Sequence, residues 1–176
     1  MPTQDSAGLH GLQLWSNLPA AEKMDAPRYR DLPVEELAQG AGPGFRVTAV
    51  SGDWRIADES VSGPLDELAP QAALADVSLE AERSLHVGSE RGETVMAYIY
   101  DGGLALRGAV QTARQLLIFG DGDDLELHAG GEGAGLLLLR GRPIRERVVH
   151  YGPFVMNSEA EIETAIRDYQ SGRFAA

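Results

Sequence analysis

The 176 residues, 24% charged and 43% hydrophobic, have the balance of one globular domain with room for an appendage but not for a second full domain. Cysteine is absent, which removes disulfides, zinc–thiolate sites, iron–sulfur clusters and thiol nucleophiles together. With 15 Lys+Arg against 27 Asp+Glu the formal net charge is -12, and no stretch gathers enough basic side chains to offset it, so a phosphate backbone or an anionic membrane is repelled.

The opening residues Met1-Pro2-Thr3-Gln4-Asp5-Ser6 lack the basic start and apolar core of a signal peptide, and a cytoplasmic location is expected. Aliphatic runs such as Leu136 to Leu139 fall far short of the roughly 20 residues of a membrane span. Residues 1–31 hold one alternating apolar segment, His10-Gly11-Leu12-Gln13-Leu14-Trp15, then Pro19, Pro27 and a polar stretch that reads as an extended connector. From Phe45 to Tyr151 short β-type runs follow at 45–50, 73–79, 83–87, 93–100, 104–108, 114–119, 124–129, 135–139 and 144–151, and this spacing predicts a sandwich or barrel. Asp101-Gly102-Gly103 and Gly120-Asp121-Gly122-Asp123 are expected to be tight hairpin turns, and Gly130 to Gly135 a flexible loop between strands. A helix is predicted over 158–171: Ser158 and Glu161 form a capping box, Ile162, Ala165, Ile166 and Tyr169 share one face, and Gly172 stands where a terminator belongs.

Little chemistry is visible in this pattern. The four histidines, His10, His86, His128 and His150, stand singly without metal-ligand spacing, so a shared ion requires the fold to converge them. No nucleophile elbow surrounds Ser89, and the acidic run Gly120 to Asp124 lacks the ligand order of a calcium loop. The glycines at 130–135 match neither the P-loop nor the dinucleotide fingerprint. Trp15, Trp54, Tyr98, Tyr100, Tyr151 and Phe154 could line a pocket, but aromatics on alternating strands mostly fill cores.

Two segments go further. Gly11-Leu12-Gln13-Leu14-Trp15-Ser16-Asn17-Leu18-Pro19, with Lys23-Met24 and Pro27-Arg28-Tyr29, resembles the stretch that joins the two barrels of the pirin family. Tyr151-Gly152-Pro153-Phe154-Val155-Met156-Asn157, running on through Glu161-Ile162 to Asp168-Tyr169-Gln170-Ser171-Gly172-Arg173-Phe174, resembles that family's C-terminal signature. The weaker middle, from Gln115-Leu116-Leu117 to Arg142-Pro143-Ile144, is similar in spacing.

Pirins are bicupins, two jelly-roll barrels face to face, with iron or another divalent metal held by three histidines and a glutamate of the N-terminal barrel. Some members open flavonols such as quercetin with dioxygen, and others act as nuclear transcriptional cofactors. The resemblance begins after the family's metal ligands, so no ligand carries over to any residue here, His10 included; Arg147 stands where the family has proline.

The resemblance therefore implies an all-β cupin jelly roll with an N-terminal arm at 1–31, a C-terminal cupin domain at 32–176 and a C-terminal helix. The expected function is that of a metal-free, non-catalytic interaction module; the alternative is one half of a quercetin 2,3-dioxygenase whose metal-binding cupin lies on another chain. No cofactor is expected in this chain, and iron or another divalent metal enters only with a metal-binding partner. The expected partner is a second copy or another cupin barrel, with neither nucleic acid nor membrane. Catalytic and metal residues are expected to be none, and Leu12, Leu14, Trp15, Gly152, Pro153, Phe154, Met156, Asn157 and Tyr169 are structural or interface positions.

Overall fold

A computed structural model describes residues 11–65 and 72–174; His10 lies outside them. Ten strands form one strongly curved sheet: β1 (Ala38–Gly42), β2 (Phe45–Ser51), β3 (Asp53–Ile56), β4 (Glu59–Ser62), β5 (Ala73–Leu79), β6 (Ser84–Gly88), β7 (Thr94–Leu106), β8 (Ala109–Thr112), β9 (Gln115–Ile118) and β10 (Asp124–Gly141). The main order is β1-β2-β5-β10-β6-β3-β4, and β7 adds to β10, carrying β8 and β9 on its far side. β1 comes back beside β4, where a Cβ at Gly40 would stand 2.6 Å from a Val61 methyl, so the sheet nearly closes on itself. Every named pairing is antiparallel.

Alternation explains the barrel. In β5 the residues Ala73, Ala75, Val77 and Leu79 point inward and are buried. They meet Val47 and Ala49 of β2, Ala97 and Ile99 of β7, and Leu136 and Leu138 of β10; across the barrel stand Trp54, Ile56, Leu85, Val87 and Leu127. The Trp54 indole N–H is satisfied inside by the Ser51 carbonyl at 3.0 Å.

One expected turn and one expected loop are strand instead. The runs expected at 93–100 and 104–108 merge in the single strand β7, which ends at Leu106, and 124–129 and 135–139 join in β10, so neither Asp101-Gly102-Gly103 nor the glycines at 130–135 form a loop. Gly102 and Gly133 take φ +60° and +78° at a register shift between the two strands, where a Cβ on Gly102 would meet the Gly133 carbonyl oxygen at 2.2 Å. The first half of β10 pairs with β6 and the second with β5 and β7, so these glycines bend the strand from one wall of the barrel to the other. The actual turn between β7 and β8 is Arg107-Gly108, both at positive φ.

Beyond the barrel the expected strand at 144–151 shortens to β11 (Val149–Tyr151), which pairs with β12 (Phe154–Met156). The helix α1 (Glu159–Gln170) follows, capped by the Ser158 side chain accepting from the Glu161 N–H at 3.3 Å. It ends with Gly172 at φ +72°, whose N–H reaches the Tyr169 carbonyl. Met156, Ile162 and Ala165 make a second, small core with Val149, Phe154 and Ile166, separate from that of the barrel.

Candidate functional site

Among the described residues the barrel interior offers no ligand set. Its fully buried side chains are apolar except Ser51 and Ser89, whose hydroxyls donate to the Ala72 and Gly122 carbonyls. The described histidines, His86, His128 and His150, lie outside it. His86 of β6 stands opposite Glu126 of β10, with His128 two residues further along, so all three project outward. His86 Nε2 and His128 Nε2 lie 3.7 and 3.4 Å from Glu126 Oε1, His86 Nδ1 lies 3.4 Å from Asp124, and Ser84 Oγ is 2.8 Å from His128 Nδ1. These side chains are about half exposed. His150 sits on β11, away from the others. Among the described residues no three His, Cys, Asp or Glu side chains are placed to hold a metal ion, so the metal of a cupin does not fit this interior. The acidic loop is engaged locally: Asp121 accepts from the Gly92 N–H at 2.6 Å and Asp123 pairs with Arg91.

The outer face of the barrel carries more information. Register places Leu74, Leu139, Met96 and Ile118 on one rung across β5, β10, β7 and β9, and Asp76, Leu137, Tyr98 and Leu116 on the next. On the third rung the Tyr100 ring lies over Gly135, where a Cβ would meet the ring at 2.4 Å, and its hydroxyl donates to Asp76 at 2.6 Å. Burial first, and then this bond to Asp76, hold the Tyr100 phenol far above its ordinary pKa. The arm is laid across this face without ladder hydrogen bonds: Leu12 borders a cleft with Asp76, Tyr100 and Leu137, and Leu14 one with Leu74, Met96 and Leu139.

The C-terminal signature lies beside the other end of the arm. Gly152, at φ +55°, and Pro153 make the turn between β11 and β12. Phe154, Tyr169 and Phe174 form a triangle of edge-to-face rings with centroids 5.3 to 6.5 Å apart. Trp15, Asn17 and Lys23 of the arm share with Pro153, Phe154, Met156 and Phe174 a cleft of about 340 Å³. Asn157 donates through Nδ2 to Glu146 and to the Arg147 carbonyl, both at 2.9 Å, and Glu146 also accepts from the Ala20 N–H at 2.7 Å. Arg147 pairs with Glu159 at 2.6 Å, tying the chain before β11 to the first turn of α1. The bond from the Asn157 N–H, then those from Ser158, hold the Glu161 carboxyl below the usual carboxylate range.

Met156 is therefore core, Gly152, Pro153 and Asn157 shape the hairpin and helix entry, and Leu12, Leu14, Trp15 and Tyr169 stay open to solvent, Trp15 and Tyr169 at 74% and 67%. Sequence reasoning missed the outer rungs. Their signal was the apolar character of both alternations in 136–139, which marks a strand covered on two faces.

An antiparallel barrel of this topology with an apolar interior and a docked arm is a cupin jelly roll. The Pirin C-terminal cupin domain model matches residues 74–175, and the chain belongs to that family. It is 38% identical to a candidate quercetin 2,3-dioxygenase of Vibrio cholerae, over 99% of this chain and 62% of that protein. Pirin-1 of Arabidopsis thaliana is 34% identical over 93% of the chain and 58% of its own length. A crystal structure of quercetin 2,3-dioxygenase from Acinetobacter baumannii superposes with a TM-score of 0.80 at 26% identity, covering 92% of this chain and 56% of that one. The chain thus spans about three fifths of the relatives it matches.

Proposed function

We propose that this chain acts as a metal-free interaction module of the pirin type, whose arm and C-terminal signature together take a partner barrel. One observation carries this. The two segments that bear the family resemblance lie more than a hundred residues apart in the chain, yet Trp15 and Phe154 border one cleft at the edge of the small second core. Residues held together on an exposed surface, with apolar side chains such as Leu12, Leu14, Trp15 and Tyr169 left open, suit a docking surface better than a reaction centre. The -12 charge supports a protein partner over nucleic acid, and the absence of a membrane-spanning helix among the described residues is compatible with the cytoplasmic location included in the proposal.

A second reading is favoured by the names of the Vibrio cholerae and Acinetobacter baumannii relatives: the chain is one half of a quercetin 2,3-dioxygenase and gains activity when a metal-binding cupin docks. Elemental analysis of untagged protein, with oxygen uptake on quercetin after Fe²⁺ loading, separates the possibilities. The interaction module contains no stoichiometric metal and consumes no oxygen, alone or with the part of the Vibrio cholerae relative that this chain does not span, although it binds that part. Oxygen uptake only in the mixture establishes the second reading. Stoichiometric metal with turnover by this chain alone overturns both.

A further inference from the structure

The strand β9 ends the sheet: it bonds β7 and no other strand among the described residues, and Gln115 through Phe119 contains neither a charge nor a proline to blunt the edge. Leu116 and Ile118 point to the outer face and are 52% and 67% exposed, while Leu117 packs on the barrel core.

The backbone sets what can pair there. The Phe119 N–H donates to the Val95 carbonyl, and alternation then turns the Leu117 N–H and carbonyl toward β7 as well. Leu116 and Ile118 therefore direct their backbone groups to the open side. In an antiparallel match of β9 with itself, both sheets keep the same face outward only if even-numbered residues oppose even-numbered ones, which is the set with free groups.

Placing Leu117 on the two-fold axis satisfies every one of these conditions. Leu116 then exchanges hydrogen bonds with the partner's Ile118, and each Leu–Ile pair covers the other's exposed apolar surface. The same register sets Arg114 opposite the partner's Gly120 and next to the partner's Asp121. Arg114 is exposed, lies at φ +71° and has no ion pair among the described residues, so the pairing brings opposite charges together at both ends. A register one step closer to Arg114 puts the left-handed bulge at that residue into the ladder, where regular pairing fails.

We propose that two copies of this chain join β9 to β9 about a two-fold axis through Leu117, extending the outer sheet across both barrels. This contact is distinct from the surface formed by Trp15 and the C-terminal signature, and it stands whether or not a partner barrel docks there.

Because the chain has no cysteine, Leu116→Cys and Ile118→Cys are clean probes. Opposed residues of an antiparallel pair lie at a Cα separation of about 5.5 Å, within disulfide range. Under mild oxidation each variant alone stays uncrosslinked and their mixture gives a disulfide-linked dimer. Wild-type protein sediments at twice the chain mass at tens of micromolar, and Ile118→Lys, on the exposed face, returns it to the monomer with an unchanged circular dichroism spectrum. A monomeric wild type, or crosslinking of either variant by itself to the same extent as the mixture, overturns the proposal.

Discussion

Arg140 closes the inward row of β10 after Leu136 and Leu138 with a charge, and the barrel has to accommodate it. Its guanidinium pairs with Glu93 at 3.1 Å, both side chains nearly buried, sits over the Trp54 ring at 5.1 Å, and donates to the Asp53 carbonyl. Its Nε is buried without a hydrogen-bond partner among the described residues. Removing one member of a buried pair leaves the other charge uncompensated, so Glu93→Ala is expected to cost about 3 kcal/mol in urea unfolding. The double change Glu93→Leu with Arg140→Met recovers most of that loss. Nothing local announces this triad, since Glu93 and Arg140 lie 47 positions apart. Gly102 and Gly133 make a related point. A strand bent at positive φ and a hairpin turn both call for glycine, and only the hydrogen bonds continuing on either side tell them apart.

Among the elements, α1 was the most legible, because its cap, apolar face and terminator are all local. Ser158→Ala is expected to cost about 1 kcal/mol, read as a lower thermal midpoint. Glu161 adds a pH dependence whose sign follows from its direction. Its carboxyl is held below its ordinary value in the folded state, so its contribution is present above pH 4.5 and is lost as pH falls through the folded value. Acid titration followed by circular dichroism should show this dependence, and Glu161→Gln should flatten it. The short strands β1, β3 and β4 gave no such signal. The turn between β3 and β4 passes through Ala57 at φ +51°, with no glycine or asparagine to mark it, and β1 is a run of small residues, Ala38-Gln39-Gly40-Ala41-Gly42, that β2 and the nearby Val61 make into strand.

For the whole molecule, the two tryptophans report on different surfaces. Trp54 is 1% exposed and Trp15 is 74% exposed, so acrylamide should quench two distinct populations in the free protein. Binding of a partner barrel at the arm protects Trp15 from quenching, whereas pairing through β9 leaves it accessible; quenching titrations of the two complexes check this. The sequence by itself determined the all-β class, most of the central strands, the helix with its caps and the family, because these rest on alternation, 3.6-residue periodicity and contiguous signature residues, all properties of neighbours in the chain. Tertiary structure alone decided that the glycines at 102 and 130–135 bend strands, that His86, His128 and Glu126 gather on the outer surface, that the arm meets the C-terminal signature, and that β9 ends the sheet. Each of these depends on which distant strand lies alongside, and that register is set by burying one face of every strand at once.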